Sequence, residues 1–302
     1  MSDATSHISS DVTYYDVPLL KAPAWKWYIP AYFVCSGVAG ASSTLGAAAR
    51  RLPRLRRRCH RLSLVALSLG TAALIADLGR PSRFINMLRV FRPTSPMNMG
   101  SWLLAAYGPA AGAAALLPDT LAGVAGVVAG VAGLPVSGYT GVLVAATAVP
   151  AWQEAGQSLP ALFTASGITG AASLLALADS SDDEAAVLRR YGIAGRVGEL
   201  VASAALEHEV GGVEAVARPY KEGRSGLLWR LAHGLTTLSL LLALPRKRAR
   251  RREQLSALTG LAGSVLVKVA VAQAGKASAA DPRASFHLQR ARDTLRPWQS
   301  SV

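Results

Sequence analysis

The chain has 302 residues, 51% of them apolar and 17% charged, with 32 Lys and Arg against 18 Asp and Glu for a formal net charge of +14. Charged residues normally make up roughly a quarter of a soluble globular domain; here they bunch into short stretches between long uncharged windows, which excludes a disordered chain and disfavours a soluble enzyme. Two cysteines in dissimilar settings, Cys35 in an apolar run and Cys59 among arginines, argue against a disulfide framework or a thiolate metal cage.

A bilayer core of about 30 Å needs about 20 helical residues, and several windows approach that length. Taken in order, residues 27–49 and 101–117 carry no charge, and 62–78 carries only Asp77 near its end. The window 121–152 is also uncharged and is interrupted by Pro135, so it reads as one long helix or two short ones. Residues 159–177 follow, and then two weaker windows. In 192–210 stand Arg196, Glu199, Glu207, His208 and Glu209, and in 227–244 stand Arg230 and His233. The last window, 255–274, carries Lys268. The expected fold is an all-α integral membrane bundle of about eight transmembrane helices, with residues 1–26 and 275–302 as terminal segments.

Charge parity decides the count. The segment from Arg50 to Arg61 holds seven arginines and that from Pro245 to Arg252 six basic residues, and short basic loops stay cytoplasmic. Eight spans place both on one side, with residues 121–152 as one long or partly broken helix; nine would send one cluster across. Both termini are then expected outside an inner or plasma membrane. The segment before residue 27 carries Asp3, Asp11 and Asp16 instead of a basic stretch before an apolar core, so span one is expected to serve as its own uncleaved signal. Arginines beside apolar spans read as topology signals and contacts to anionic lipid, not as a nucleic-acid surface.

Helices in lipid associate through close approach of small residues. Gly123, Gly126, Gly130 and Gly133 recur along one face of the fourth span, and Gly37, Gly40 and Ala41 along the first. Haem would need facing axial histidines and an iron–sulfur cluster four thiolates. The five histidines, His7, His60, His208, His233 and His287, are scattered and the cysteines are two, so no haem, cluster or metal is expected on this chain. Charged groups inside a membrane demand a partner or a wet cavity. Glu199, Arg230, His233 and Lys268 are therefore candidates for a proton path, while Arg196 and Glu199, three residues apart, also read as a local ion pair. Asp77 is a candidate carboxylate for taking up a proton.

Residues Tyr14–Lys21 read YYDVPLLK, Trp25–Ser42 read WKWYIPAYFVCSGVAGAS, and Ala76–Trp102 read ADLGRPSRFINMLRVFRPTSPMNMGSW. With GYTGVL at Gly138–Leu143, TAVPAW at Thr147–Trp152 and LPALFTAS at Leu159–Ser166, these stretches resemble the NrfD family, the membrane subunits of polysulfide reductase-like and nitrite reductase-like complexes. The most specific part is the DLGRPxRF…SPMxxGSW block; beyond residue 177 the match rests on YKEGRSG at Tyr220–Gly226 and the Ser278–Pro282 stretch. The resemblance implies an eight-helix subunit without haem that reacts with quinone or menaquinone as an exchangeable substrate. It further implies an extracytoplasmic four-cluster ferredoxin-like iron–sulfur partner and a molybdopterin catalytic subunit. By the same resemblance Tyr32 and Tyr139 are quinone-binding candidates, Tyr139 being the match to the family tyrosine. Tyr32 stands where a characterised relative has a histidine, and Ile29 where it has an asparagine. Asp77 is the catalytic candidate, positioned to accept the proton a quinol releases. Arg80, Arg83, Arg89 and Arg92 are candidates for docking the iron–sulfur partner, on a segment where Asn86–Arg92 is expected to form a short interfacial helix before Pro93, Pro96 and Gly100 end it. Two other readings remain open at this point: a structural anchor without quinone reactivity, and a proton-coupled transporter, against which the lack of a clear internal repeat speaks.

Overall fold

The computed structural model describes residues 20–21, 23, 25–78, 86–245, 249–282 and 284. Among them ten helices and no strand occur. The helices are α1 (Tyr28–Ala48), α2 (Pro53–Leu78), α3 (Pro96–Leu116), α4 (Asp119–Ala145), α5 (Pro150–Gln153), α6 (Ser158–Leu177), α7 (Asp182–Gly211), α8 (Glu214–Lys221), α9 (Gly223–Ala243) and α10 (Arg250–Ala280). By length and composition five of them, α2, α4, α6, α9 and α10, can cross a membrane. The chain is an integral membrane protein. α1, α3 and α7 are as long, at 21, 21 and 30 residues; α1 and α3 carry no charge but are studded with Gly, Ser and Ala, and α7 opens on three acidic residues.

Several boundaries differ from the apolar windows, each for a local reason. α2 begins at Pro53, so most of the arginine cluster is helix instead of loop; proline suits a first turn and arginine is a good helix former. α3 begins at Pro96 behind an Ser95 cap that accepts from Asn98 N at 3.4 Å. α7 starts ten residues before its apolar window because Ser181 and Glu184 close a capping box. α4 runs through Pro135 and stops at Ala145. Trp152 lies instead on the separate α5, whose start is set by Pro150 and by the extended backbone that a proline imposes on Val149. Gly223, at φ +64°, makes the sharp turn from α8 into α9.

α1 and α6 are the central helices. α1 packs on α2, α4 and α6, and α6 on α7, α4 and α10. Close approach is made by missing side chains. A Cβ on Gly40 would overlap the Gly133 carbonyl of α4, one on Gly130 would overlap Ala47 Cβ, and one on Gly167 of α6 would sit 2.7 Å from the Gly37 oxygen. Gly126 gives room to His60, whereas Gly123 faces open space, so three of the four glycines in the α4 stripe make contacts. The outer faces are apolar: Val65 and Leu69 on α2, Val124 and Val131 on α4, Leu241 on α9 and Leu258 on α10 are all exposed. Such a surface suits hydrocarbon as the solvent.

Arg58 of α2 donates to the Leu175 and Asp179 carbonyls and to Ser180 Oγ and lies 3.8 Å from Glu184, while Arg250 of α10 pairs with Asp179. Both basic clusters therefore contribute to one end of the bundle, the relation on which the parity argument rests. At the other end Trp152 stacks on Trp25 at 4.9 Å and donates to the Val271 carbonyl at 2.8 Å.

Candidate functional site

Two groups of residues carry chemistry. The first is where α1 to α4 meet, around Tyr32 and Tyr139. Tyr32 is buried on α1 with Gly70 of α2 against its ring edge, a Cβ there falling 3.7 Å from Cδ2. Tyr139 lies on α4 with its ring over Gly100 of α3, where any side chain would overlap the ring. Its hydroxyl is buried with the Gly100 backbone beside it, and its O–H donates to no group among the described residues. The two phenols lie within electrostatic range of each other. A buried hydroxyl without a partner is uncommon, although Ser42, Thr140 and Ser203 share that state, and a phenol so placed can donate to an acceptor.

Asp77 stands exposed on the last turn of α2, and no hydrogen bond or ion pair joins it to the tyrosines among the described residues. Arg80 and Arg83 lie outside the described residues. Arg89 and Arg92 are exposed, on a segment that also exposes Val90 and Phe91, with Phe91 edge-on to Trp102 at 5.9 Å. The expected continuous interfacial helix is not formed, since the chain turns and bends at residues 88–90. The cause is Asn98, whose amide nitrogen donates to the carbonyls of Met87 at 2.6 Å and Val90 at 2.8 Å while its oxygen accepts from Arg92 N at 2.6 Å. Asn98 thus fixes the arginine-bearing segment to the head of α3. Its short amide two residues after Pro96 was the available signal.

A cavity of about 410 Å³ lies between α1 and α10 at the same end, lined by Trp25, Trp27, Pro30, Val265, Val269 and Lys276 among others. Lys276 Nζ donates to the Trp25 carbonyl across it.

The second group is a buried polar cluster between α6, α7, α9 and α10. Glu199 is 2% exposed, Lys268 1% and Arg196 4%. Glu199 Oε1 accepts from Thr236 Oγ1 at 2.7 Å; its Oε2 is buried without a hydrogen bond, beside Thr169. Lys268 Nζ donates to the Phe33 carbonyl of α1 at 3.0 Å and lies 5.7 Å from the centre of the Phe163 ring. Gly37 makes room for this ammonium, since a Cβ there would overlap Nζ. Arg196 donates from Nε to Ser239 Oγ at 2.5 Å and from Nη2 to Ser173 Oγ and the Ser256 carbonyl, each at 3.4 Å. Arg196 and Glu199 feel each other electrostatically without forming the direct ion pair that their spacing suggested, because each is drawn to hydroxyls on other helices.

Glu199 lies within electrostatic range of both Lys268 and Arg196, and the Lys268 ammonium ends on the backbone of Phe33, next to Tyr32 in the chain. Arg230 and His233 do not join this cluster. Arg230 is exposed on α9. The His233 ring meets Trp229 at 4.5 Å and its Nδ1 is 2.7 Å from the Trp229 carbonyl, while Trp229 Nε1 donates to Glu207 at 2.6 Å. Helical spacing could single out the charges, but the hydroxyls of Thr169, Ser173, Thr236, Ser239 and Ser256 look like ordinary packing residues until the helices are assembled.

A model of a family described as polysulfide reductase, of NrfD type, matches residues 12–281, close to nine-tenths of the chain. No curated protein matches the chain significantly.

Proposed function

Because the chain belongs to the NrfD-type polysulfide reductase family, we propose that it is the membrane subunit through which a redox complex exchanges electrons with the quinone pool. The observation that carries this reading is the buried hydroxyl of Tyr139, which donates to no group among the described residues and lies within electrostatic range of Tyr32. A quinone site needs an apolar slot, one or two donors for the carbonyl oxygens, and a proton route to water. In this reading Tyr139 donates to one quinone oxygen and Tyr32 closes the other side of the ring. Asp77, on the wet end of α2, passes to solvent a proton released when a quinol gives up two electrons. Those electrons go to an iron–sulfur partner of the four-cluster ferredoxin-like type, docked over Arg80, Arg83, Arg89 and Arg92, and from it to a molybdopterin subunit. The quinone is the substrate, and this chain holds no redox group of its own.

In the same reading α1, α2, α3, α4, α6, α7, α9 and α10 are eight spans of an inner or plasma membrane. The arginine end is cytoplasmic, and the tyrosines and both termini lie outside. Protons cross by way of Glu199 and Lys268, whose polar cluster reaches the backbone beside Tyr32.

The test is quinol turnover by the purified complex with assembly checked in parallel. Tyr139→Phe is expected to lower turnover at least tenfold in an assembled complex, and Asp77→Asn less. The cavity between α1 and α10 is the competing place for the ring, as it offers 410 Å³ beside Lys276. Val269→Trp fills that cavity, so loss of turnover in Val269→Trp with none in Tyr139→Phe moves the ring there. Unchanged turnover in both leaves an anchor without quinone chemistry.

A further inference from the structure

At the arginine end a cavity of about 270 Å³ opens between the end of α6, the first half of α7, the end of α9 and the start of α10. Arg196 lines it. Among the described residues this guanidinium has no carboxylate within ion-pair distance, Nε and Nη2 are engaged by Ser239, Ser173 and the Ser256 carbonyl, and Nη1 donates to no group. Glu199, one turn further along α7, is within electrostatic range but makes no direct ion pair, so it offsets only part of the cost of burying this charge. Gly192, one turn earlier on α7, gives Nη1 its place, since a Cβ there would collide with it. Arg189, two turns earlier on the same face, lines the cavity as well, and so does Arg250, which pairs with Asp179. The acidic groups of the lining, Asp182 and Glu253, are both already partnered.

Depth and lining define what fits. Ser173 and Ser239 each stand four residues before the ends of their helices at Leu177 and Ala243, which at 1.5 Å per residue puts Arg196 about 6 Å inside the bundle. With the ends of α6 and α9 taken as the membrane surface, that is the depth of the boundary between lipid headgroups and chains. The remaining wall is apolar, formed by Ala172, Ala176, Leu188, Leu242 and Ala257. Guanidinium groups pair with phosphate in a forked geometry, and basic pockets between membrane helices suit anionic headgroups.

We propose that this cavity binds a phosphate-bearing anion, held by Arg196 Nη1 and Arg189. A phospholipid would place its phosphodiester there and lay its chains on the alanine and leucine wall; a free phosphate would fill only the polar end. The inference does not depend on quinone chemistry. It is tested on the full-length protein, delipidated in detergent, by following its Tm with added phosphatidylglycerol, phosphatidylcholine or orthophosphate. A ligand that binds only the folded state raises Tm with its concentration. The expected result is a rise of several degrees with phosphatidylglycerol, absent with phosphatidylcholine, and abolished by Arg189→Gln and by Gly192→Leu. A rise of the same size with orthophosphate also supports the site and assigns it to the free anion. Arg189 is only partly buried, so Arg189→Gln keeps the test open where Gly192→Leu fails to fold. No rise with either anion, or the same rise in Arg189→Gln as in the parent, overturns the proposal.

Discussion

Between α1, α2 and α3 the hydroxyls of Ser43, Ser63 and Tyr107 close a triangle at 2.7 to 2.9 Å, whereas α7 and α10 bury a carboxylate, a guanidinium and an ammonium that meet hydroxyls and carbonyls instead of one another. A hydroxyl both donates and accepts, so three of them satisfy one another without charge. Ionised groups buried between helices carry a desolvation cost that neutral hydroxyls do not repay in full. The two regions therefore teach different things. The first is cross-helix cement, and the second keeps a costly arrangement that pure packing would not select. α1 belongs to both, with Ser43 on the triangle and the Phe33 carbonyl under Lys268.

The largest expected effect tests the α1–α4 side. Gly40→Leu drives a side chain into the Gly133 carbonyl and the Ser137 backbone of α4, atoms that cannot yield without moving the helix. It should prevent a monodisperse folded protein from being recovered in mild detergent; normal recovery would show that α1 and α4 approach less closely than described. Lys268→Met comes next. Removing one member of a buried charged arrangement costs about 3–5 kcal/mol, here because Glu199 loses a nearby positive charge. Adding Glu199→Gln should restore part of that loss, measured as Tm in a double-mutant cycle. Strict additivity of the two would mean that Glu199 and Lys268 are independent and that the contrast between the regions is weaker than drawn. Tyr107→Phe opens the neutral triangle and leaves Ser43 and Ser63 still bonded to each other, so it should cost only about 1 kcal/mol and leave quinol turnover unchanged.

Much of this was legible in the sequence and some was not, for reasons visible in particular residues. Apolar windows pointed to the five helices long and apolar enough to cross a membrane, because lipid demands such runs, and the block from Ala76 to Trp102 carried the resemblance to the family. Helix ends were less legible, since Pro53, Ser95 and Ser181 start helices inside polar stretches that hydropathy reads as loop. Tyr32 and Tyr139 were chosen by resemblance, and only the fold supplies Gly100, which brings the Tyr139 ring against α3. Glu199 and Lys268 stood out as charges in apolar windows. Their hydroxyl partners could not, because a serine facing a neighbouring helix and one facing its own backbone are the same letter. Arg230 and His233 stood out equally and lie elsewhere, since a charge in a window carries no sign of which face of the helix it occupies.

The smallest expected effect lies on the glycine stripe of α4, where spacing alone treats four positions as equal. Gly130 meets Ala47 and Gly133 meets the Gly40 carbonyl, but nothing lies within 4 Å of a Cβ built on Gly123. Gly123→Ala should therefore change Tm little, with at most a gain of about 1 kcal/mol from the better helix propensity of alanine. Gly130→Ala should lower it, because its methyl would overlap that of Ala47. Paired measurement of the two variants separates contact from composition. A drop in Gly123→Ala as large as that in Gly130→Ala would place an unseen surface against the start of α4, and with the lipid-facing Val124 next to it that surface would have to be another protein.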